Sequence, residues 1–199
     1  GMPGLASVLH AQNDTSSPVA QGEIMRVTGK DSISERILDV VYRISPFSFF
    51  QTNSYQLDNF IGKILEFAKL EANDVVWDLY CGAGSITLPT SRRVKEIYGI
   101  EIFDGAIRDA IANAKANGIE NAHLICHDLH AKDANSLLAD LPRPDVVIVD
   151  PPRAGMHRNL VDILLETQPQ RIVYVSCNPT TQARDCELLA EKYRVETVL

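Results

Sequence analysis

Val75-Val76-Trp77-Asp78-Leu79-Tyr80-Cys81-Gly82-Ala83-Gly84-Ser85 decides the fold: a short apolar run ends in an acidic residue and a two-glycine turn, and residues 86–93 then suit a helix. That order is a strand feeding a tight loop that opens a helix, the local geometry in which open α/β sheets hold nucleotide-type ligands. Downstream the alternation continues. Residues 97–100 read as a strand, 103–117 as a helix stopped by Gly118, 123–126 as a strand, and 134–139 as a helix. The β-branched run Val146-Val147-Ile148-Val149 is a strand, followed by a helix over 160–166, a strand over 172–175 and a helix over 180–192. Residues 194–199 open a further strand. Strands alternating with helices at this spacing call for a mostly parallel sheet covered by helices on both faces, an α/β Rossmann-like fold.

Upstream, Leu57, Phe60, Ile61, Ile64, Leu65 and Ala68 recur at helical spacing from Ser54 to about Lys69, after a break at residues 45–53. Residues 1–45 carry short β-type runs at 5–9, 22–27 and 37–44, with a polar loop at 13–18. The expected division is a small β-rich extension over 1–45 and a ligand-binding domain over 46–199.

At 45% hydrophobic and 23% charged residues, the chain has the balance of a globular protein with a sizeable core, which excludes disorder, collagen and coiled coil. No apolar run exceeds five residues, against roughly 20 for a bilayer span. Residues 1–20 lack a basic segment followed by an apolar core, so no secretory signal is expected. Nineteen basic against 26 acidic residues give a net charge of −7, which argues against a broadly basic nucleic-acid surface and leaves room only for a local patch. Cys81, Cys126, Cys177 and Cys186 are too few and too widely spaced for a disulfide framework or a metal cluster, so no metal is expected and a reducing cytoplasm fits.

Three motifs carry chemistry. In the first, glycines let backbone approach a ligand, and Glu101, 23 positions after Asp78, suits ribose hydroxyls. The full dinucleotide fingerprint is broken by Thr87. The second is Asp150-Pro151-Pro152-Arg153, where two prolines hold the chain extended and fix an acidic side chain at the carboxyl end of a strand. In the third, Val175-Ser176-Cys177-Asn178-Pro179, Asn178 is a favoured N-cap and Pro179 a favoured first helical residue. Cys177 therefore sits just ahead of a helix amino terminus, where the dipole favours the nucleophilic thiolate, with a buried capping-region cysteine as the alternative. Cys81 suits packing in the glycine loop, and Cys126 and Cys186 are expected to be buried, inert thiols.

The first motif resembles the D-x-x-x-G-x-G loop of class I methyltransferases that bind S-adenosylmethionine. With all three motifs in order, and with Ser48-Phe49-Phe50-Gln51-Thr52-Asn53 and Tyr98-Gly99-Ile100-Glu101, the chain resembles the RNA uracil-5-methyltransferase family over about residues 5–199. Members of that family methylate a uridine in 23S ribosomal RNA or in the T-loop of tRNA. The resemblance implies a class I fold, S-adenosylmethionine as cofactor with S-adenosylhomocysteine as product, and an RNA partner. It puts Gln51, Tyr80, Gly82, Ser85, Glu101, Asp128 and Asp150 around the cofactor and makes Cys177 the nucleophile, with Asp150 in the catalytic set. Glu101 is then the ribose acceptor, Asp128 the acceptor for the adenine amino group, and Tyr80 a packing wall. Phe49 and Phe50 are candidates to support a displaced base, with core packing as the alternative, and Arg153 is a candidate for phosphate or base contact.

Family members also carry an amino-terminal RNA-binding β-barrel and a general-base Glu on a strand past Val198-Leu199. The resemblance therefore implies a fragment that binds the cofactor, turns over poorly and leaves an open sheet edge for self-association. It also implies that most phosphate contacts lie in the barrel, which reconciles the negative charge with an RNA substrate. Glu196 precedes that strand and takes no catalytic role. The competing readings are an exocyclic-amine methyltransferase of RNA using Asp150-Pro151-Pro152, a noncatalytic S-adenosylmethionine-binding module and, less favoured, a dinucleotide oxidoreductase.

Overall fold

A computed structural model describes residues 7–14, 22–47, 50–51 and 53–199. Phe49, with the ends of the expected 5–9 run and 13–18 loop, lies outside the described residues. The strands are β1 (Ser7–Gln12), β2 (Glu23–Gly29), β3 (Ile33–Ile37), β4 (Val40–Ile44), β5 (Val75–Leu79), β6 (Glu96–Glu101), β7 (Ala122–Cys126), β8 (Val146–Val149) and β9 (Arg171–Tyr174). The helices are α1 (Leu57–Ala68), preceded by a 3₁₀ turn at Ser54–Gln56, α2 (Thr87–Ser91), α3 (Asp104–Ala116), α4 (Ala134–Asp140), α5 (Arg158–Thr167) and α6 (Pro179–Leu189).

The expected α/β architecture is present. Five parallel strands order as β7-β6-β5-β8-β9, with β5 in the centre. Successive side chains of a strand point to opposite faces, so β8 sends Val146 and Ile148 to one core and Val147 and Val149 to the other. On the first face Ile61, Leu65 and Leu88 of α1 and α2 pack with Ile97 and Ile148. On the second, Leu138, Leu160, Leu164 and Leu189 of α4, α5 and α6 cover Trp77, Leu79 and Val147. A sheet buried on both faces is what the near-continuous apolar strands demand.

Three expectations are corrected. The run at 37–44 is no single strand but the end of a hairpin: β3 pairs antiparallel with β4 across Leu38-Asp39, with Leu38 in the left-handed region at φ 52°. The strand expected over 194–199 does not form: Val195, Val198 and Leu199 are exposed, and Glu196 lies 3.7 Å from the Lys69 ammonium. The helix expected over 86–93 is also shorter, since the glycine turn runs to Ile86.

Ile37, Val40 and Tyr42 are fully buried in the core that covers the sheet's first face. The packing thus groups β3 and β4 with the α/β unit, while β1 and β2 pair with each other in a separate ribbon. One face of α3 fastens β4 in place of a neighbouring strand. Asn117 accepts from the Val41 amide at 2.9 Å and donates to its carbonyl at 2.7 Å, and Asn113 repeats this at Arg43 with 2.8 and 3.1 Å. One turn earlier, Asp109 accepts from the Ser45 hydroxyl at 2.8 Å. Spacing of four along the helix matches spacing of two along the strand, so three side chains satisfy an edge that would otherwise stay open.

Asn113→Ala removes both partners of the Arg43 backbone at a buried position, and we expect it to lower unfolding stability by about 2 kcal/mol in urea titration. An unchanged midpoint would show that water replaces the side chain there.

Candidate active site

The glycine loop leaves β5 without leaving the sheet. The amides of Tyr80 and Cys81 donate to the Ile100 carbonyl at 2.9 and 3.0 Å, so the chain folds over the end of β6. Tyr80, Gly82 and Gly84 then take left-handed φ values of 68°, 54° and 82°. Tyr80 adopts that conformation at a cost, a form of backbone strain that clusters at functional sites. Gly84 accepts from the Leu88 amide and from the Tyr42 hydroxyl, at 3.0 and 3.1 Å, which ties the loop to α2 and to β4. A Cβ on Gly82 would meet nothing within 4 Å, so this glycine faces open space at the rim of the loop. Gly99 has the opposite role: a Cβ there would lie 3.0 Å from Leu124 Cδ2 and 3.1 Å from both the Cys81 Sγ and the Thr87 Oγ1, so the loop seats closely against β6 at this position.

Acidic side chains surround the loop. Glu101 accepts from the Gly82 amide at 3.1 Å and the Phe103 amide at 3.0 Å, which fixes its carboxylate while leaving lone pairs on both oxygens. Asp128 accepts from the His130 amide at 2.8 Å. The Tyr80 hydroxyl lies 3.4 Å from His130 Nε2, and the His130 ring in turn packs 5.3 Å from that of His157. Asp150 follows β8, its amide 3.3 Å from the Leu79 carbonyl, and burial raises its pKa. Asp78 is fully buried. Its Oδ2 accepts from Thr87 Oγ1 at 2.5 Å, its Oδ1 has no partner, and desolvation, with Asp150 and Glu101 nearby, pushes its pKa up to about 7.

The third motif closes the site at β9. The Val175 amide donates to the Val149 carbonyl at 2.8 Å, Ser176 Oγ accepts from the Asn178 amide at 3.0 Å, and Asn178 caps α6 by accepting from the Thr180 amide at 3.1 Å. Pro179 is the first helical residue, as its sequence position requires, and Cys177 stands exposed in the turn. Cys81 is buried and its thiol pKa is raised by desolvation, the mark of a packing residue. Cys126 departs from expectation: its thiol is exposed, because β7 is the outer strand.

Tyr80, Gly82, Ser85, Asp128, Asp150, Arg153 and Cys177, in loops, and Glu101, the last residue of β6, therefore all lie at the carboxyl end of one sheet. Phe50 and Gln51 are half-buried in the segment joining β4 to α1, and the Phe50 ring packs edge-on to Tyr42 at 5.5 Å, which supports the core-packing alternative for Phe50. Two contributors had no signal in the sequence. Asp185 is a fully buried carboxylate inside α6, and Arg184 beside it grips the Asp150 loop.

The family model for tRNA (uracil-5-)-methyltransferase matches residues 23–199. The chain belongs to this family. It is 42% identical over 98% of its length to an uncharacterized RNA methyltransferase of Staphylococcus aureus, and 41% identical over 98% to one of Bacteroides thetaiotaomicron. It covers 43% of each of those proteins, less than half their length. A solved structure, the Pyrococcus abyssi tRNA (uracil-54, C5)-methyltransferase in complex with S-adenosyl-L-homocysteine, superposes with a TM-score of 0.82 at 38% identity, over 96% of this chain and 45% of that one. The uracil-5-methyltransferase family assignment fits the class I fold, and no helix among the described residues is long and apolar enough to cross a membrane.

Asp78 gives a pH test. The folded chain holds this proton up to about pH 7, whereas the unfolded chain releases it near 3.8, so the stability the proton confers is complete below pH 4 and is lost as pH rises through 7. Asp78→Asn should therefore gain stability relative to the ligand-free parent between pH 5 and pH 8 in thermal melts. A constant difference across that range would contradict the buried-carboxyl account.

Proposed function

We propose that the chain carries the catalytic part of an S-adenosylmethionine-dependent RNA methyltransferase that modifies carbon 5 of a uridine through a covalent cysteine adduct. The observation that carries this reading is the exposed Cys177, held in a capped turn at the same sheet end as the glycine loop and the Asp150 loop.

The cofactor residues fit on physical grounds. Glu101, Asp128 and Asp150 pair with no lysine or arginine among the described residues, so the rim of the loop is an acidic field that suits a cationic ligand and opposes a pyrophosphate. That favours S-adenosylmethionine over a dinucleotide. Glu101 is oriented to accept from ribose hydroxyls, Asp128 from the adenine amino group, and Gly82 leaves room for close backbone approach. We assign Tyr80 as a wall of the pocket, with Ser85 and Gln51, both half-buried, as further cofactor contacts. When bound, this cofactor supplies a methyl group made electrophilic by a sulfonium.

Carbon 5 of uracil is a weak nucleophile. The Cys177 thiolate adds to carbon 6, forming an S–C bond and pushing the electron pair of the 5,6 double bond into an enolate. Carbon 5 then takes the methyl group, a base removes the proton on carbon 5, and the returning electron pair expels the thiolate. Asp150 stands between the two loops, and we assign it to the reacting edge of the base. Arg153 is exposed, and its carbonyl is anchored by Asn178 at 2.9 Å, which supports a contact to RNA phosphate or base. An amine methyltransferase would have no use for the exposed thiol.

The test is an RNA hairpin carrying 5-fluorouridine, incubated with S-adenosylmethionine and read by intact protein mass. Fluorine cannot leave as a proton does, so a methylated protein–RNA adduct should accumulate and should be absent from Cys177→Ala. An amine-methylated product with no adduct would instead establish the runner-up reaction.

A further inference from the structure

We infer that Asp185 and Arg184 are a positioning pair, a clamp that sets the Asp150 loop and the Cys177 turn relative to each other. The two loops come from neighbouring strands, and their own described residues join them only through the Val175–Val149 ladder bond and the Asn178–Arg153 contact. Helix α6 supplies the rest. Along residues 153–156 of the Asp150 loop, α6 and its cap hold the backbone almost group by group. The Arg153 carbonyl accepts from Asn178 Nδ2 at 2.9 Å and Thr181 Oγ1 at 3.2 Å, and the Ala154 carbonyl accepts from Arg184 Nη2 at 3.0 Å. The Met156 amide donates to Asp185 Oδ2 at 2.7 Å. Gly155 lets the loop lie flat, since a Cβ there would stand 2.5 Å from Arg184 Nη2 and 2.6 Å from Asp185 Oδ2, and its φ of 80° suits glycine.

The same carboxylate reaches the other loop's strand. Asp185 Oδ2 also accepts from the Tyr174 hydroxyl at 2.8 Å, and Gln182 donates to the Tyr174 carbonyl at 3.0 Å, so the last residue of β9 is tied three positions before Cys177. The Asp185 side chain is fully buried, and Arg184 meets its Oδ1 at 2.6 and 2.8 Å. A buried carboxylate with one cationic partner and two further donors has a single satisfied geometry, which suits it to hold an arrangement. Neither residue touches substrate in this account. They act through Cys177 and Asp150, and small misplacement of reacting groups costs rate steeply.

This inference rests on the thiol chemistry proposed for Cys177, so its test has a readout that does not need that chemistry. Asp185→Asn keeps the shape and the acceptor facing Met156 but turns a donor toward Arg184. Arg184→Met removes the grip from a half-exposed position, and Arg184→Lys restores the charge without the second contact to the Ala154 carbonyl. We expect adduct formation with the 5-fluorouridine hairpin to slow by about tenfold or more in Asp185→Asn and Arg184→Met at saturating RNA, with partial recovery in Arg184→Lys. Amide exchange should quicken at residues 154–157 and 177–178 while S-adenosylhomocysteine affinity stays near the parent's, and the melting temperature should stay near the parent's in the two Arg184 variants. Unchanged adduct rates, or rates that fall only in step with global stability, overturn the clamp. Should Asp185→Asn fail to fold, the two Arg184 variants decide. If the parent forms no adduct, exchange alone decides the clamp: faster in both loops upholds it, unchanged overturns it.

Discussion

The site depends on one row of paired residues. Leu79 in the central strand is level with Ile100 on one side and Val149 on the other, and Val149 is level with Tyr174. Parallel pairing in register makes the next residues of four strands emerge at one height, so the glycine loop, Glu101, Asp150 and the Cys177 turn share one end of the sheet. What holds that register is the burial of β5 and β8 on both faces. Val76, Leu79 and Val146 to Val149 are essentially inaccessible, and a slip of one residue would exchange the two cores.

Charge at this end is arranged in an unusual way. Backbone amides, rather than cations, orient Glu101 and Asp128, and a single hydroxyl serves Asp78. Glu101, Asp128 and Asp150 keep their field for a ligand, at the cost of desolvation at Asp150, while burial keeps Asp78 protonated up to about pH 7. At the neighbouring end of the row the pattern reverses. Asp185 is buried but paired with Arg184, and its field is spent inside the protein on Met156 and Tyr174. Acidic residues with free lone pairs line the end of the sheet assigned above to the cofactor, and a neutralised one braces the Cys177 turn.

Much of this was legible from the chain alone. The alternation of apolar runs fixes the parallel sheet, because strands buried on both faces must be apolar throughout, and the capping pair Asn178-Pro179 placed Cys177 before a helix, as found. The hairpin at 33–44 was hidden because its turn has no glycine or asparagine; Leu38 takes the left-handed conformation under tertiary constraint. The fastening of β4 by Asn113 and Asn117, like the junction at Asp185, joins residues far apart in sequence through side-chain hydrogen bonds. Local periodicity carries no trace of such contacts. Asp185 in particular reads as an ordinary helical acid until burial reveals its partners.

The claim on which the account turns is that this end of the sheet is a preformed cradle for an adenosine-bearing cofactor, with Glu101 as its ribose acceptor. Isothermal titration of S-adenosylhomocysteine into the chain and into Glu101→Gln tests it most directly. The account predicts one site per chain, with affinity weakened about tenfold in the variant, which is about 1.4 kcal/mol. No binding by the parent chain, or binding indifferent to Glu101, would contradict it.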